Sequence, residues 1–151
     1  MSAPKTILVP TDFSEPADRA LDYALELSVK LGSRVIVMHA YEITPLDLLD
    51  GVLVATGDAR ERLEQAAQAS LDANIAKHEH RGVALTSLLT VGEPRESIQA
   101  TAEEVGADLI VIGTHGRRGL SRALLGSVAE YIVRTATRPV LTVHARPSGH
   151  A

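Results

Sequence analysis

The chain has 151 residues, enough for one domain of ordinary size that buries a real core without staples. Hydrophobic residues at 45% and charged residues at 23% mark a folded globular protein rather than a disordered one, and a formal net charge of -4 argues against duplex nucleic acid as the main partner. The absence of cysteine excludes disulfides, thiolate metal sites and cysteine nucleophiles, and 3% aromatic content without Trp leaves few stacking platforms for single-stranded nucleic acid.

Met1 to Lys5 lacks the basic and apolar pattern of a signal peptide, and no apolar run is long enough to cross a bilayer, so a cytosolic protein is expected. Ile7, Leu8 and Val9 form a short aliphatic run stopped by Pro10, the signature of a strand buried on both faces. In the following Thr11-Asp12-Phe13-Ser14-Glu15-Pro16, Ser14 is placed to cap a helix whose first turn tolerates Pro16. Ala17, Ala20, Leu21, Ala24, Leu27 and Leu31 then recur at helical spacing up to Gly32, a left-handed cap position. Arg34 to Tyr41 reads as a second strand. Asp58 and Glu61 have capping-box spacing and open a long helix with Leu63, Ala67, Leu71 and Ile75 on its apolar side and Gly82 as its stop. Val83 to Val91 is a third strand, Pro94 to Gly106 a shorter helix with Ile98, Ala102 and Val105 inward, and Leu109 to Ile112 a fourth strand. Ser127 and Glu130 repeat the capping-box spacing and open a helix ending near Thr137, before a fifth strand from Val140 to His144.

Five aliphatic strands alternating with four helices predict an α/β fold, a doubly wound parallel sheet covered on both faces, because parallel neighbours need crossovers. No linker or repeat divides the chain, so residues 1–151 are expected to form one domain with a core from 5 to 145 and an unstructured tail from 146 to 151. Ligands of such sheets collect at the carboxyl ends of the strands where the winding reverses. If the two chemically unusual loops, after strands one and four, flank that point, the strand order is 3-2-1-4-5.

The loop after strand four runs from Gly113 to Ser127 and is rich in Gly and Arg. Glycines let backbone N–H groups approach oxygen atoms, and a helix beginning at Gly126 and Ser127 offers amides and a dipole that favour an anion. The alternative is a solvated loop with a basic approach to a helix. Its position between a buried strand end and a capped helix favours phosphate.

The blocks ILVPTDFS, GADLIVIGTHGRRG, LLGSVAEYIVR and RPVLTVH resemble the universal stress protein family, and the resemblance covers Lys5 to Ala145. ATP-binding members carry Gly, two residues, Gly, nine residues, Gly, then Ser or Thr; Gly113, Gly116, Gly126 and Ser127 match this throughout. The resemblance implies a Rossmann-like sheet of the adenine nucleotide alpha hydrolase type that binds ATP, with Mg²⁺ carried by the phosphates. It places Pro10, Thr11 and Asp12 at the nucleotide, with Asp12 on the ribose hydroxyls, and the backbone near Ala40 on the adenine. Gly113 and Gly116 would begin the phosphate loop, and Gly126, Ser127 and the N–H of Val128 would complete it. Asp12 has a plainer role open to it, as a cap where the first helix starts. Of the loop arginines Arg117 is taken as a phosphate contact; His115 is kept as a contact without a catalytic role, on the expectation that a loop histidine lies in solvent.

His78 and His80, two apart on a predicted helix, face different ways and do not suit a shared metal, while His39 and His144 lie in strands and are taken as structural. Glu42 to Gly57 is unusually apolar for a connection, which suits a lid, a contact surface or a short extra helix. Strand five, Val140 to His144, is an edge that another copy of the chain can cover; the family pairs in this way, and a homodimer is expected.

Neither a P-loop nor a dinucleotide fingerprint is present, and no residue near the glycine-rich loop stands out as a base for water. The reading favoured is a nucleotide-binding regulator of the stress response, with no nucleic-acid or membrane partner. The alternatives are a slow ATPase or other nucleotide-using enzyme, and a dimeric interaction module that has lost nucleotide binding.

Overall fold

The computed structural model describes residues 2–43, 57–78, 80, 82–115 and 125–144. Strand and helix alternate along them: β1 (Thr6–Pro10), α1 (Glu15–Leu31), β2 (Arg34–Tyr41), α2 (Gly57–Ala76), β3 (Leu85–Val91), α3 (Pro94–Glu104), β4 (Leu109–Gly113), α4 (Ser127–Thr135) and β5 (Val140–Val143). All neighbours in the five-stranded sheet are parallel and the order is β3-β2-β1-β4-β5, as the sequence predicts. Among the described residues no helix is long and apolar enough to cross a membrane.

Alternation along each strand builds two cores. Ile7 and Val9 of β1, Val35 and Val37 of β2 and Val111 of β4 pack against Ala20, Leu21, Ala24 and Leu25 of α1 and Leu71 of α2. Leu8, Ile36, Met38, Ile110 and Ile112 point the other way, onto Ile98 and Ala102 of α3 and Ala129 and Ile132 of α4. Burial on both faces explains the unbroken aliphatic runs, each fully buried Leu or Ile contributing about 1.5–3 kcal/mol. The helices that precede β2 and β3 cover one face and those that precede β4 and β5 cover the other, so the winding reverses between β1 and β4.

Several boundaries differ from the sequence reading. Pro10 is the last residue of β1 rather than its stop, and β3 begins at Leu85. Leu25 belongs to the buried face of α1, whereas Leu31 is exposed. Helix α2 is already under way at Gly57, so Asp58 lies inside its first turn, and it ends at Ala76, well before Gly82, whose φ of 75° turns the chain toward β3. His78 and His80 therefore stand beyond the helix. His78 Nδ1 donates to Asp22 Oδ1 at 2.7 Å, and Asn74 Nδ2 to Asp18 Oδ1 at 2.7 Å, tying the end of α2 to α1. His144 follows β5 and is exposed. Of the apolar connection, residues 44–56 lie outside the described residues, as does the tail from 145.

Candidate functional site

Where β1 ends, Thr11 N donates to Met38 O at 2.8 Å, keeping the departing chain on the sheet. Thr11 Oγ1 then accepts from Phe13 N at 3.0 Å and Asp12 Oδ1 from Ser14 N at 3.0 Å, so two short side chains fold the turn back on itself. Phe13 is forced to φ 67°, an unusual value for a bulky residue that costs on the order of 1–3 kcal/mol and persists only where neighbours hold it. Its ring centroid lies 4.3 Å from that of His39. Ser14 is the N-cap of α1, accepting from Ala17 N at 3.4 Å, and Pro16 sits in the first turn, both as expected. Asp12 is thus a turn-former two residues before the cap rather than the cap itself.

Across the winding switch, Thr114 N donates to Val143 O at 3.0 Å and Thr114 O accepts from Gly126 N at 2.5 Å, which brings the start of α4 back to the end of β4. Gly126 is the N-cap, with extended φ -61° and ψ 157°, and has no side chain with which to cap the helix. Ser127 is its first helical residue, so the predicted capping box does not form; an N1 hydroxyl has lost the extended geometry that lets a cap reach N2 and N3. Glu130 instead accepts from Arg134 Nη2 at 2.7 Å. His115, expected in solvent, is 9% exposed and meets Thr114 Oγ1 at 3.1 Å.

Gly113 has a steric reason to be glycine that loop composition does not reveal. A Cβ there would stand 2.6 Å from Pro16 C, 2.8 Å from Pro16 O and 2.9 Å from Ala17 N, all backbone of the first turn of α1. The two loops meet at this point.

Between them lies a cleft of about 280 Å³ at the carboxyl ends of β1, β2 and β4. Pro10, Thr11, Asp12, Ala40, Gly113, His115, Gly126, Ser127 and Val128 all line it, whereas Gly116 and Arg117 fall in 116–124, outside the described residues. The structure adds an apolar wall of Met38, Ile98, Ile112 and Ala129, together with Pro94, Thr114 and His39. These were missed because they read as core or connection; the predicted strand order, which sets the end of β2 beside β1, was the signal pointing to Met38 and His39. Next to Pro94, burial pushes the Glu93 carboxyl up, but the hydrogen bonds it accepts from Arg95 Nε at 2.8 Å and from the Glu96 amide outweigh that and hold it below its usual range. Among the described residues no three His, Asp or Glu side chains gather to hold a metal. The cleft therefore combines an apolar wall, the Asp12 residue and a helix start whose N-cap is glycine, a set that suits a nucleoside phosphate.

The profile of the universal stress protein family matches residues 4–144. Universal stress protein MJ0577 of Methanocaldococcus jannaschii is 33% identical, spanning 95% of this chain and 97% of the relative. The solved structure of MJ0577 superposes with a TM-score of 0.79 at 31% identity, covering 95% and 98% of the two chains. Two further structures are nucleotide complexes: a universal stress protein with cAMP (TM-score 0.61, 29% identity, 95% and 98% covered) and one from Archaeoglobus fulgidus with dAMP (0.57, 27%, 95% and 99%). Sheet order, matched length and likeness to both nucleotide complexes agree, and the chain belongs to the universal stress protein family.

Proposed function

We propose that this protein binds ATP in the cleft between β1 and β4 and acts as a nucleotide-dependent regulator in the cytoplasm. The carrying observation is that Asp12 and the start of α4, with glycine as its N-cap, line one cleft. A carboxylate accepts two ribose hydroxyls well, and a helix start favours a phosphate by about 0.3–1 kcal/mol, up to about 2 where partly buried. The cAMP and dAMP complexes of relatives support an adenine nucleotide as the ligand. Ala40, at the β2 end of the apolar wall, suits the base; Gly126, Ser127 and Val128 suit the phosphates, with Gly113 at the turn and Gly116, His115 and Arg117 completing the loop. Bound Mg²⁺ would ride on the phosphates and neutralise their charge. The chain's own residues bind and orient the nucleotide; no general base is assigned, and hydrolysis is at most slow.

We also propose a single domain that pairs through β5, whose four residues are only half-buried at the sheet edge. Sedimentation at micromolar concentration should give a dimer; a strict monomer would overturn the pairing.

The direct test is calorimetric titration with ATP and Mg²⁺ of the wild type, Asp12→Ala and Gly126→Val. Micromolar binding, roughly -8 kcal/mol, that weakens at least tenfold (about 1.4 kcal/mol) in both folded variants is expected. Absence of binding up to millimolar ATP would reject the nucleotide reading in favour of an interaction module.

A further inference from the structure

His39 stands at the end of β2, and its side chain reaches both residues that flank Asp12. Its Nδ1 lies 2.8 Å from Thr11 O. A carbonyl oxygen only accepts, so Nδ1 carries the hydrogen and donates it. The ring also lies 4.3 Å from the ring of Phe13 at an interplanar angle of 37°. Phe13 is the residue held at φ 67°, and such a conformation is kept by its surroundings rather than by its own preference. Thr11 and Phe13 are thus both gripped from a neighbouring strand, and the Asp12 backbone between them has little freedom to turn its carboxylate away from the cleft. A Leu or Phe at position 39 would supply packing to Phe13 but no donor to Thr11.

We infer that His39 is the positioning residue for Asp12: its hydrogen bond to Thr11 and its contact with Phe13 set where the Asp12 carboxylate stands, and thereby the preference of the site for a ribose over a deoxyribose. The second half of this inference rests on the nucleotide reading above; the first half does not. Two readouts separate them. Amide hydrogen exchange in nucleotide-free protein follows Ser14 N–H, which Asp12 Oδ1 accepts at 3.0 Å. Titration with ATP and with 2′-deoxy-ATP follows sugar preference.

In His39→Leu, Ser14 exchange should quicken at least tenfold, and a wild-type preference for ATP of about tenfold should fall to about twofold through loss of ATP affinity alone. His39→Asn, whose amide nitrogen stands where Nδ1 stands, should recover both; His39→Gln, whose amide reaches the place of Nε2 instead, should not, and replaces the Leu variant if that one fails to fold. Unchanged Ser14 exchange in both the Leu and Gln variants overturns the positioning role. Equal loss of affinity for both nucleotides, with the preference intact, makes His39 a direct contact and overturns it as well. Faster Ser14 exchange in a protein whose wild type binds no nucleotide rejects the nucleotide reading and leaves His39 as the residue that places Asp12.

Discussion

Of the helices that begin at the cleft, α1 and α4 begin in opposite ways. Helix α1 starts behind a turn satisfied from within: Asp12 takes the Ser14 amide, Thr11 the Phe13 amide, and Ser14 the amide of Ala17. Helix α4 starts at Gly126, which has no side chain to offer, and Ser127 is already helical. A helix start leaves four amides without intrahelical partners. At α1 the chain spends short polar side chains at and before the cap, and at α4 the N-cap glycine has none to spend. The comparison teaches where an anion belongs: α1 presents a carboxylate and a finished cap, α4 presents amides and a dipole. In the proposed function the acidic side takes the sugar and the glycine-capped side the phosphates, a division of labour that follows from which residue precedes each helix.

The contrast can be broken at several points. The largest effect is expected at Gly113, where the β4 end touches the backbone of α1's first turn. Gly113→Val should lower stability by about 3 kcal/mol in urea denaturation, since backbone atoms cannot step aside as a side-chain tip does. An unchanged midpoint would mean that the α1 start is not rigid after all. Next come the two serines. Ser14→Ala should cost about 1 kcal/mol as a lost N-cap, whereas Ser127→Ala should stay within about 0.5 kcal/mol while weakening ATP binding. Equal thermal shifts in the two variants would erase the distinction between a closed and an open helix start.

The smallest effect lies at the other end of the same strands and serves as a control. Asp108 accepts from Thr6 N at 3.0 Å and Lys5 N at 2.9 Å, and these amides hold its carboxyl below its ordinary 3.8. Because the folded value is lower than the unfolded one, the contribution is fully present above the unfolded pKa and is lost as pH falls through the folded value. Asp108→Asn should therefore lower the melting temperature slightly at about pH 7, with the gap to wild type closing as pH falls below the ordinary carboxylate range. ATP affinity should not change. A gap that widens on acidification would contradict the assignment.

How far the site was legible depended on whether a feature is local. Ser14 was legible because a cap, its proline and the apolar stripe that follows lie within a few residues. Ser127 carries the same spacing to Glu130 and misled, because Gly126 is drawn into extended geometry by its hydrogen bond to Thr114, across the loop. His115 looked like a solvent residue in a polar loop, yet it packs beside the buried Thr114. His39 read as a strand residue and is one, but it also lines the cleft and grips the turn before α1.

From the sequence alone come the alternation of buried strands and crossover helices, the parallel sheet, the place where its winding reverses and the chemical oddity of the two loops that meet there. All of these follow from periodicity and punctuation, which act over a few residues. Only the tertiary structure decided which helix start is closed by its own side chains and which is not, why position 113 has no room for a Cβ, and what stands beside Asp12. Those are distances between segments far apart in the chain, set when the two faces of the sheet pack, and no local pattern encodes them.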